Sequence, residues 1–271
     1  MYRMFVDVNA IRMAYSDTGS GSPVALLVHG FPLNRSMWDP QMGWLRAAGL
    51  RVIVPDLRGF GASEAGPAGP LSMEQHADDL AALLAALGIG EPVVYIGLSM
   101  GGYVGFAFWR KYPALVRALV LLDTRASPDT PQAQAERHRL AAEVEALGSS
   151  QPVVDAMLPR LFSPHLPPGS RVAQQVVGMM KGTSVQGVAD GERGLAARVS
   201  SFPTLATITV PTLVLVGEYD VLTPPSDAQA IASGIPAAEL VSIEEAGHMA
   251  NMENPEAVNE ALATWLRRAQ R

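Results

Sequence analysis

Ser99 stands in the segment Gly97-Leu98-Ser99-Met100-Gly101, followed by a further glycine at 102. A serine hydroxyl is a poor nucleophile at neutral pH unless a base takes its proton and a third group orients that base. A lone GxSxG match in a glycine-rich chain is weak, and context decides its meaning. Here the apolar run Val93 to Ile96 precedes the motif and a helical stretch from Gly102 to Tyr112 follows it, which is the strand-turn-helix setting of a nucleophile elbow. Small residues at 97, 101 and 102 let strand and helix approach around a strained serine. The plainer alternative is a serine that only caps the helix.

The nucleophilic reading demands a histidine, and the chain has five, at 29, 76, 138, 165 and 248. His248 lies in Glu244-Glu245-Ala246-Gly247-His248-Met249, after the last expected strand and before the final helix, at the sheet edge where Ser99 should emerge. His76 and His138 fall on expected helices, His165 in a proline-rich loop, and His29 in a separate motif. The orienting carboxylate should follow the strand 212 to 216, where Gly217-Glu218-Tyr219-Asp220 offers two. Asp220 is the choice, since the Val-Leu-Thr-Pro-Pro that follows makes a stiff turn, and Glu218 suits a brace. Asp123, at the end of the strand through Leu122, is a further candidate. The order serine, acid, histidine is the one this architecture expects.

Attack on a carbonyl creates an oxyanion that needs two preorganised donors. Met100 supplies one backbone N–H. The loop His29-Gly30-Phe31-Pro32 after the strand Val24 to Val28 supplies the other, from Phe31, with His29 anchoring the loop. The chemistry is complete without a metal or a cofactor, and none is expected.

These groups need a scaffold. Short apolar runs at 24–28, 52–54, 93–96, 118–122, 212–216 and 239–243 read as buried strands. Helical stretches at 37–47, 73–87, 101–111, 226–233 and 255–268 lie between or after them, and residues 2 to 18 read as two strands turning near Asn9. Strands alternating with helices imply a mostly parallel sheet covered on both faces. Residues 125–205 break the alternation: they hold helical patterns and seven prolines between 128 and 168, and are too long for a plain loop. The expectation is a core of residues 1–124 and 206–271 with a helical cap, 125–205, inserted after the sixth of eight strands.

With 271 residues, 48% hydrophobic and 17% charged, the chain is long enough for one catalytic α/β unit with an insertion. A net charge of -6 without basic runs disfavours nucleic acid and anionic membranes as partners. The absence of cysteine excludes disulfides, thiolate catalysis and cysteine metal sites. Charges at Arg3, Asp7, Arg12 and Asp17 interrupt any signal-peptide core, so a cytoplasmic protein is expected. Nothing in the sequence selects an oligomeric state.

The motifs HGFP, Pro55-Asp56-Leu57-Arg58-Gly59-Phe60-Gly61-Ala62-Ser63, GLSMGG, GEYD and AGH occur in order along the chain. In this the sequence resembles the α/β-hydrolase superfamily, and within it 3-oxoadipate enol-lactonases and small carboxylesterases. The resemblance implies an α/β-hydrolase fold, a triad of Ser99, Asp220 and His248, an oxyanion hole of Phe31 and Met100, and structural roles for Asp56 and Arg58. It implies a small-molecule ester or lactone as substrate. Haloalkane dehalogenases and epoxide hydrolases are similar but carry aspartate where Ser99 stands. Cofactor-free perhydrolases of the haloperoxidase type and carbon-carbon bond hydrolases share the triad, and some members of the superfamily are non-catalytic ligand receptors. Leu98, Phe162, Met179, Val221 and Met249 are the expected substrate contacts, suited to small or medium, largely apolar groups.

Overall fold

The computed structural model describes residues 3–269; the outermost two residues at each end of the expected core domain lie outside the described residues. The N-terminal pair of strands is β1 (Met4–Val8) and β2 (Ile11–Asp17). The turn between them falls at Asn9 and Ala10, both with positive φ. There follow β3 (Val24–Val28), α1 (Asp39–Ala47), β4 (Arg51–Pro55), α2 (Met73–Ala86), β5 (Val93–Leu98), α3 (Met100–Lys111) and β6 (Val116–Leu122). Five helices stand before the next strand: α4 (Pro131–Leu147), α5 (Gln151–Met157), α6 (Arg171–Gly182), α7 (Val185–Ala196) and α8 (Phe202–Leu205). The chain then resumes with β7 (Thr212–Gly217), α9 (Pro225–Gly234), β8 (Glu239–Ile243), α10 (Ala250–Glu253) and α11 (Pro255–Ala269). The short α10, directly behind the His248 loop, has no counterpart in the sequence expectation.

The eight strands form one sheet in the order β1-β2-β4-β3-β5-β6-β7-β8. β2 alone runs against the rest, antiparallel to both β1 and β4; every pairing among β3 to β8 is parallel. This is the mostly parallel sheet that the apolar runs require. Side chains alternate across a strand, and β3 shows the result: Val24, Leu26 and Val28 join the core on one face, Ala25 and Leu27 the core on the other. The first face packs α2 and α3, through Leu80, Leu83, Leu84, Val104 and Phe108. The second packs α1 and α11, through Leu45, Val258, Leu262 and Trp265.

The helices between β6 and β7 start where side-chain caps allow. Thr130, Ser170 and Ser184 each accept a hydrogen bond from the backbone N–H three residues on, at 3.2, 3.3 and 3.0 Å, which satisfies a donor that the first turn leaves free. Helix α7 docks on the sheet domain through Gly187, Gly191 and Gly194. A Cβ at Gly187 would lie 1.8 Å from the carbonyl oxygen of Gly59, and one at Gly194 1.9 Å from that of Leu71. At Gly191 it would meet the rings of Phe31 and Phe60. Helix backbone therefore rests directly against the loop that carries Phe31.

Candidate active site

Parallel strands deliver their carboxyl ends to one edge of the sheet, and the loops there carry the reactive groups. The turn from β5 to α3 places Ser99 at φ 54°, ψ -113°, a left-handed conformation that costs a residue with a Cβ on the order of 1–3 kcal/mol. The surrounding packing enforces it. A Cβ on Gly97 would fall 2.3 Å from the Gly101 carbonyl oxygen and one on Gly101 2.2 Å from that of Val28, so only glycine lets β5, β3 and α3 come this close. Two hydrogen bonds pin the serine backbone: its N–H donates to the Leu122 carbonyl at 2.9 Å, and Thr124 Oγ1 donates to its carbonyl at 2.8 Å. The Ser99 side chain makes no capping bond to α3, which removes the plainer reading of this residue.

The hydroxyl is instead joined to His248. Ser99 Oγ lies 2.9 Å from His248 Nε2, and His248 Nδ1 lies 2.8 Å from Asp220 Oδ2. Asp220 also accepts from the Leu222 and Thr223 N–H groups at 2.8 and 3.0 Å and from Thr223 Oγ1 at 2.6 Å. Burial works to raise this carboxyl, but the His248 charge and the hydrogen bonds from His248 and Thr223 outweigh it, leaving Asp220 below its ordinary value. Asp123 is the opposite case. Burial, then the charge of Asp220, push its carboxyl well above the usual range against a hydrogen bond from Gly217 N–H. Of the two acids, Asp220 alone touches the imidazole. Glu218 accepts from the Glu245 N–H at 3.3 Å and so braces the histidine loop.

That loop is held from two sides. Glu253 Oε1 accepts from the N–H groups of Gly247 and Met249 at 3.0 and 3.2 Å, and its Oε2 accepts from Ser163 N–H at 2.8 Å. The segment after α5 reaches across: His248 N–H donates to the Leu161 carbonyl at 2.9 Å and Ser163 Oγ to the Glu245 carbonyl at 2.7 Å. Glu253 and Ser163 escaped sequence reasoning, and Thr223 was expected only as part of a stiff turn. Only Glu253 left a signal, a carboxylate five residues past the histidine on a stretch too short to read as a helix.

Phe31, Ser99, Met100 and His248 line one cavity of about 60 Å³. Met100 is the first residue of α3, so its N–H has no partner inside the helix. His29 sits behind Phe31, fully buried, and both its nitrogens are used: Nδ1–H donates to the Gly30 carbonyl at 2.8 Å and Nε2 accepts from Leu57 N–H at 2.9 Å. Burial lowers its pKa, so it stays a neutral strut. Asp56 accepts from the Arg35 and Ala62 N–H groups and the Arg35 guanidinium. Arg58 forms a two-pronged pair with Asp79 at 2.7 and 2.8 Å. Both belong to the scaffold.

The remaining wall corrects the sequence expectation. None of Leu98, Phe162, Met179, Val221 or Met249 lines the cavity; Tyr103, Arg125, Arg137, Met157, Leu195, Leu222 and Thr223 do. Leu98 and Met249 are buried in the second core, and Val221 is 59% exposed. Phe162 packs on that core, and Met179 Sδ accepts from Ser36 Oγ at 3.2 Å. The expected apolar lining missed two arginines. Among the described residues no group of three or more His, Asp or Glu side chains is placed to hold a metal ion, and no helix is long and apolar enough to cross a membrane.

A hydroxyl, an imidazole and a carboxylate in series, opening on a cavity beside a helix N-terminus, can transfer an acyl group. Comparisons with known proteins identify the family. A family profile described as alpha/beta hydrolase fold matches residues 23–255. A thermophilic esterase from Thermogutta terrifontis, solved with malate bound, superposes with a TM-score of 0.93 at 42% identity over 99% of both chains. A putative non-heme bromoperoxidase, BpoC, of Mycobacterium tuberculosis is 30% identical, covering 93% of this chain and 96% of that protein. 3-Oxoadipate enol-lactonase 2 of Acinetobacter baylyi is 28% identical, covering 95% of this chain and 94% of its own.

Proposed function

The chain belongs to the α/β-hydrolase fold family, and from that premise we propose that it is a serine hydrolase that cleaves small carboxylic esters or lactones through an acyl-enzyme on Ser99. The observation that carries this reading is the continuous relay from Ser99 Oγ through His248 to Asp220, with links of 2.9 and 2.8 Å, at the mouth of a cavity.

In the first step Ser99 Oγ attacks the carbonyl carbon while His248 Nε2 takes its proton. The oxyanion forms against the N–H groups of Phe31 and Met100, and each such donor contributes on the order of 3 kcal/mol. Asp220 holds the imidazole with Nδ1 protonated and Nε2 free, and stabilises the imidazolium that forms. His248 then returns the proton to the alcohol oxygen as the carbon–oxygen bond breaks. A water that gives its proton to His248 attacks the acyl-enzyme, and collapse restores Ser99 and releases the acid. Residues 125–205 act as a cap over this edge, narrowing the cavity to a few water volumes and so favouring short acyl groups. The cytoplasm is the expected compartment.

The test is Ser99→Ala assayed with p-nitrophenyl acetate, together with labelling of the wild type by a fluorophosphonate and mapping of the adduct. Loss of the triad nucleophile typically costs ~10⁴-fold or more in turnover, and the label should sit on Ser99. Retained activity, or a label elsewhere, ends this reading.

A further inference from the structure

Arg125 follows β6 by three residues and lines the same cavity as Ser99 and His248. It is the least satisfied cation there. Three guanidiniums, of Arg125, Arg137 and Arg198, meet two carboxylates, of Asp129 and Glu192. Arg137 takes one oxygen from each carboxylate, and Arg198 takes Asp129 Oδ1 at 2.8 Å while its guanidinium stacks 4.4 Å from the centre of the Tyr103 ring. Arg125 is left with the Asp129 oxygen that Arg198 already holds, at 3.5 Å, beyond the ~2.7–3.2 Å of a good N–H···O bond. Its Nε is shut off from solvent and donates to nothing among the described residues. Asp227 is near enough to feel the Arg125 charge, yet no ion pair joins them within 4 Å among the described residues.

Three guanidiniums thus share two carboxylates by ion pairing, and the one left without a good partner sits on a wall of the cavity. The same arginine lines a wider depression of about 370 Å³ that shares Arg137, Met157 and Leu222 with the cavity and adds Arg160 together with the carboxylates of Asp129, Glu136 and Glu192. A guanidinium presents N–H groups in a planar fork that matches a carboxylate, and an unsatisfied buried donor in a site is a demand for an acceptor. We propose that Arg125 anchors a carboxylate carried by the substrate, so that the ester this enzyme prefers bears an acid group besides the bond it cleaves. The inference rests on the acyl-enzyme reading above and names its substrate class.

Pairs of isosteric esters test it. Monomethyl glutarate against methyl pentanoate places the acid on the acyl side; the butanoyl ester of glycolic acid against ethyl butanoate places it on the alcohol side. With turnover followed by pH-stat, kcat/KM of the wild type should favour the acid in one of the pairs by at least tenfold. Arg125→Gln should bring that ratio towards one, while Arg125→Lys, which keeps the charge and loses the fork, should retain part of it. An independent measurement needs no variant: butyrate should inhibit methyl pentanoate hydrolysis at least tenfold more strongly than butyramide, and less so as salt is raised. Ester hydrolysis that depends on Ser99 but ignores charge in both pairs, or a preference that survives Arg125→Gln, overturns this inference alone. If no ester is turned over in a Ser99-dependent way, the acyl-enzyme reading falls and this inference with it.

Discussion

Replacing Glu253 by alanine should slow the chemistry without weakening substrate binding. The side chain lies outside the cavity lining, but its two oxygens accept three backbone N–H groups, of Ser163, Gly247 and Met249. Two of these flank His248 in sequence. Burial, opposed by those bonds, raises the Glu253 carboxyl above its ordinary value, so a water-filled gap is a poor substitute for it. A buried donor without an acceptor costs ~1–3 kcal/mol. Taking about 1 kcal/mol for each of the three, because water enters a half-buried site, the variant loses about 3 kcal/mol. At ~2–4 °C per kcal/mol for a chain of roughly this size, Tm should drop by about 6–12 °C. The released loop also lets the imbidazole of His248 wander from Ser99, and a misplacement of ~1 Å costs up to ~10²-fold in rate. The expected outcome is a kcat for p-nitrophenyl acetate lower by about 10- to 100-fold, with KM within about threefold of the wild type. Glu253→Gln, which keeps one acceptor oxygen, should lie between. Thermal melts read by circular dichroism and steady-state kinetics on the same samples decide the matter. A lower Tm with unchanged kcat makes Glu253 a staple of the fold and refutes its part in placing the histidine; no change in either refutes the reasoning entirely.

The two neighbouring acids should behave differently. Asp220→Asn removes the charge that holds His248 in its working tautomer and should cost ~10⁴-fold in kcat, whereas Asp123→Asn, at a carboxyl that does not touch His248 and that burial pushes well above the usual range, should stay within about tenfold; equal losses in the two variants would contradict the assignment. Acid stability should expose His76, which is fully buried with neither nitrogen hydrogen-bonded among the described residues. Burial, the main cause, lowers its pKa from 6.5 to about 3, joined by the neighbouring His29 ring and the charge of Arg58. Since the folded value lies below the unfolded one, the neutral ring supports the fold fully above pH 6.5, and that support is lost as pH falls from 6.5 towards 3. The slope is ~1.4 kcal/mol per pH unit, so about 2 kcal/mol should go between pH 6.5 and 5, before most carboxylates titrate. His76→Leu should flatten the fall of the urea midpoint across that window, and a midpoint already flat in the wild type would count against it.

The three side chains joined by hydrogen bonds, Ser99, His248 and Asp220, were legible as neighbours because each sits just past the end of a strand. Ser99 follows β5, Asp220 follows β7 and His248 follows β8, and strand ends on one edge of a parallel sheet share a neighbourhood wherever they lie in the sequence. The cavity wall was less legible. Leu98, Val221 and Met249 are immediate neighbours of Ser99, Asp220 and His248. Only Leu98 lies in a strand, where successive side chains point to opposite sides; Val221 and Met249 lie in a bend and a turn, where no periodicity says which side chain faces the cavity. Leu98 and Met249 are in the core behind the site, and Val221 is in solvent. The residues one and two steps further on from Val221, Leu222 and Thr223, line the cavity instead. For the helices between β6 and β7 the difficulty is register. Met157 reaches the cavity while Phe162 and Met179 pack elsewhere, and nothing local to an apolar helix face says which of its residues meets a distant loop.

The glycines of α7 show what such a signal looks like when it exists. Gly187, Gly191 and Gly194 fall on one face of a helix, and each marks a place where another chain segment comes too close for a Cβ. This face fixes α7 against Phe31 and Phe60, and Leu195 on the same helix borders the cavity. On the opposite side Leu161 and Ser163 grip the histidine loop by backbone and hydroxyl contacts. The helical segment thus touches both Phe31 and the loop that carries His248. A substitution at Gly187 or Gly194 that adds a methyl group must push α7 away from the sheet domain, so its effect on activity should travel through the positions of Phe31 and Leu195, both of which line the cavity.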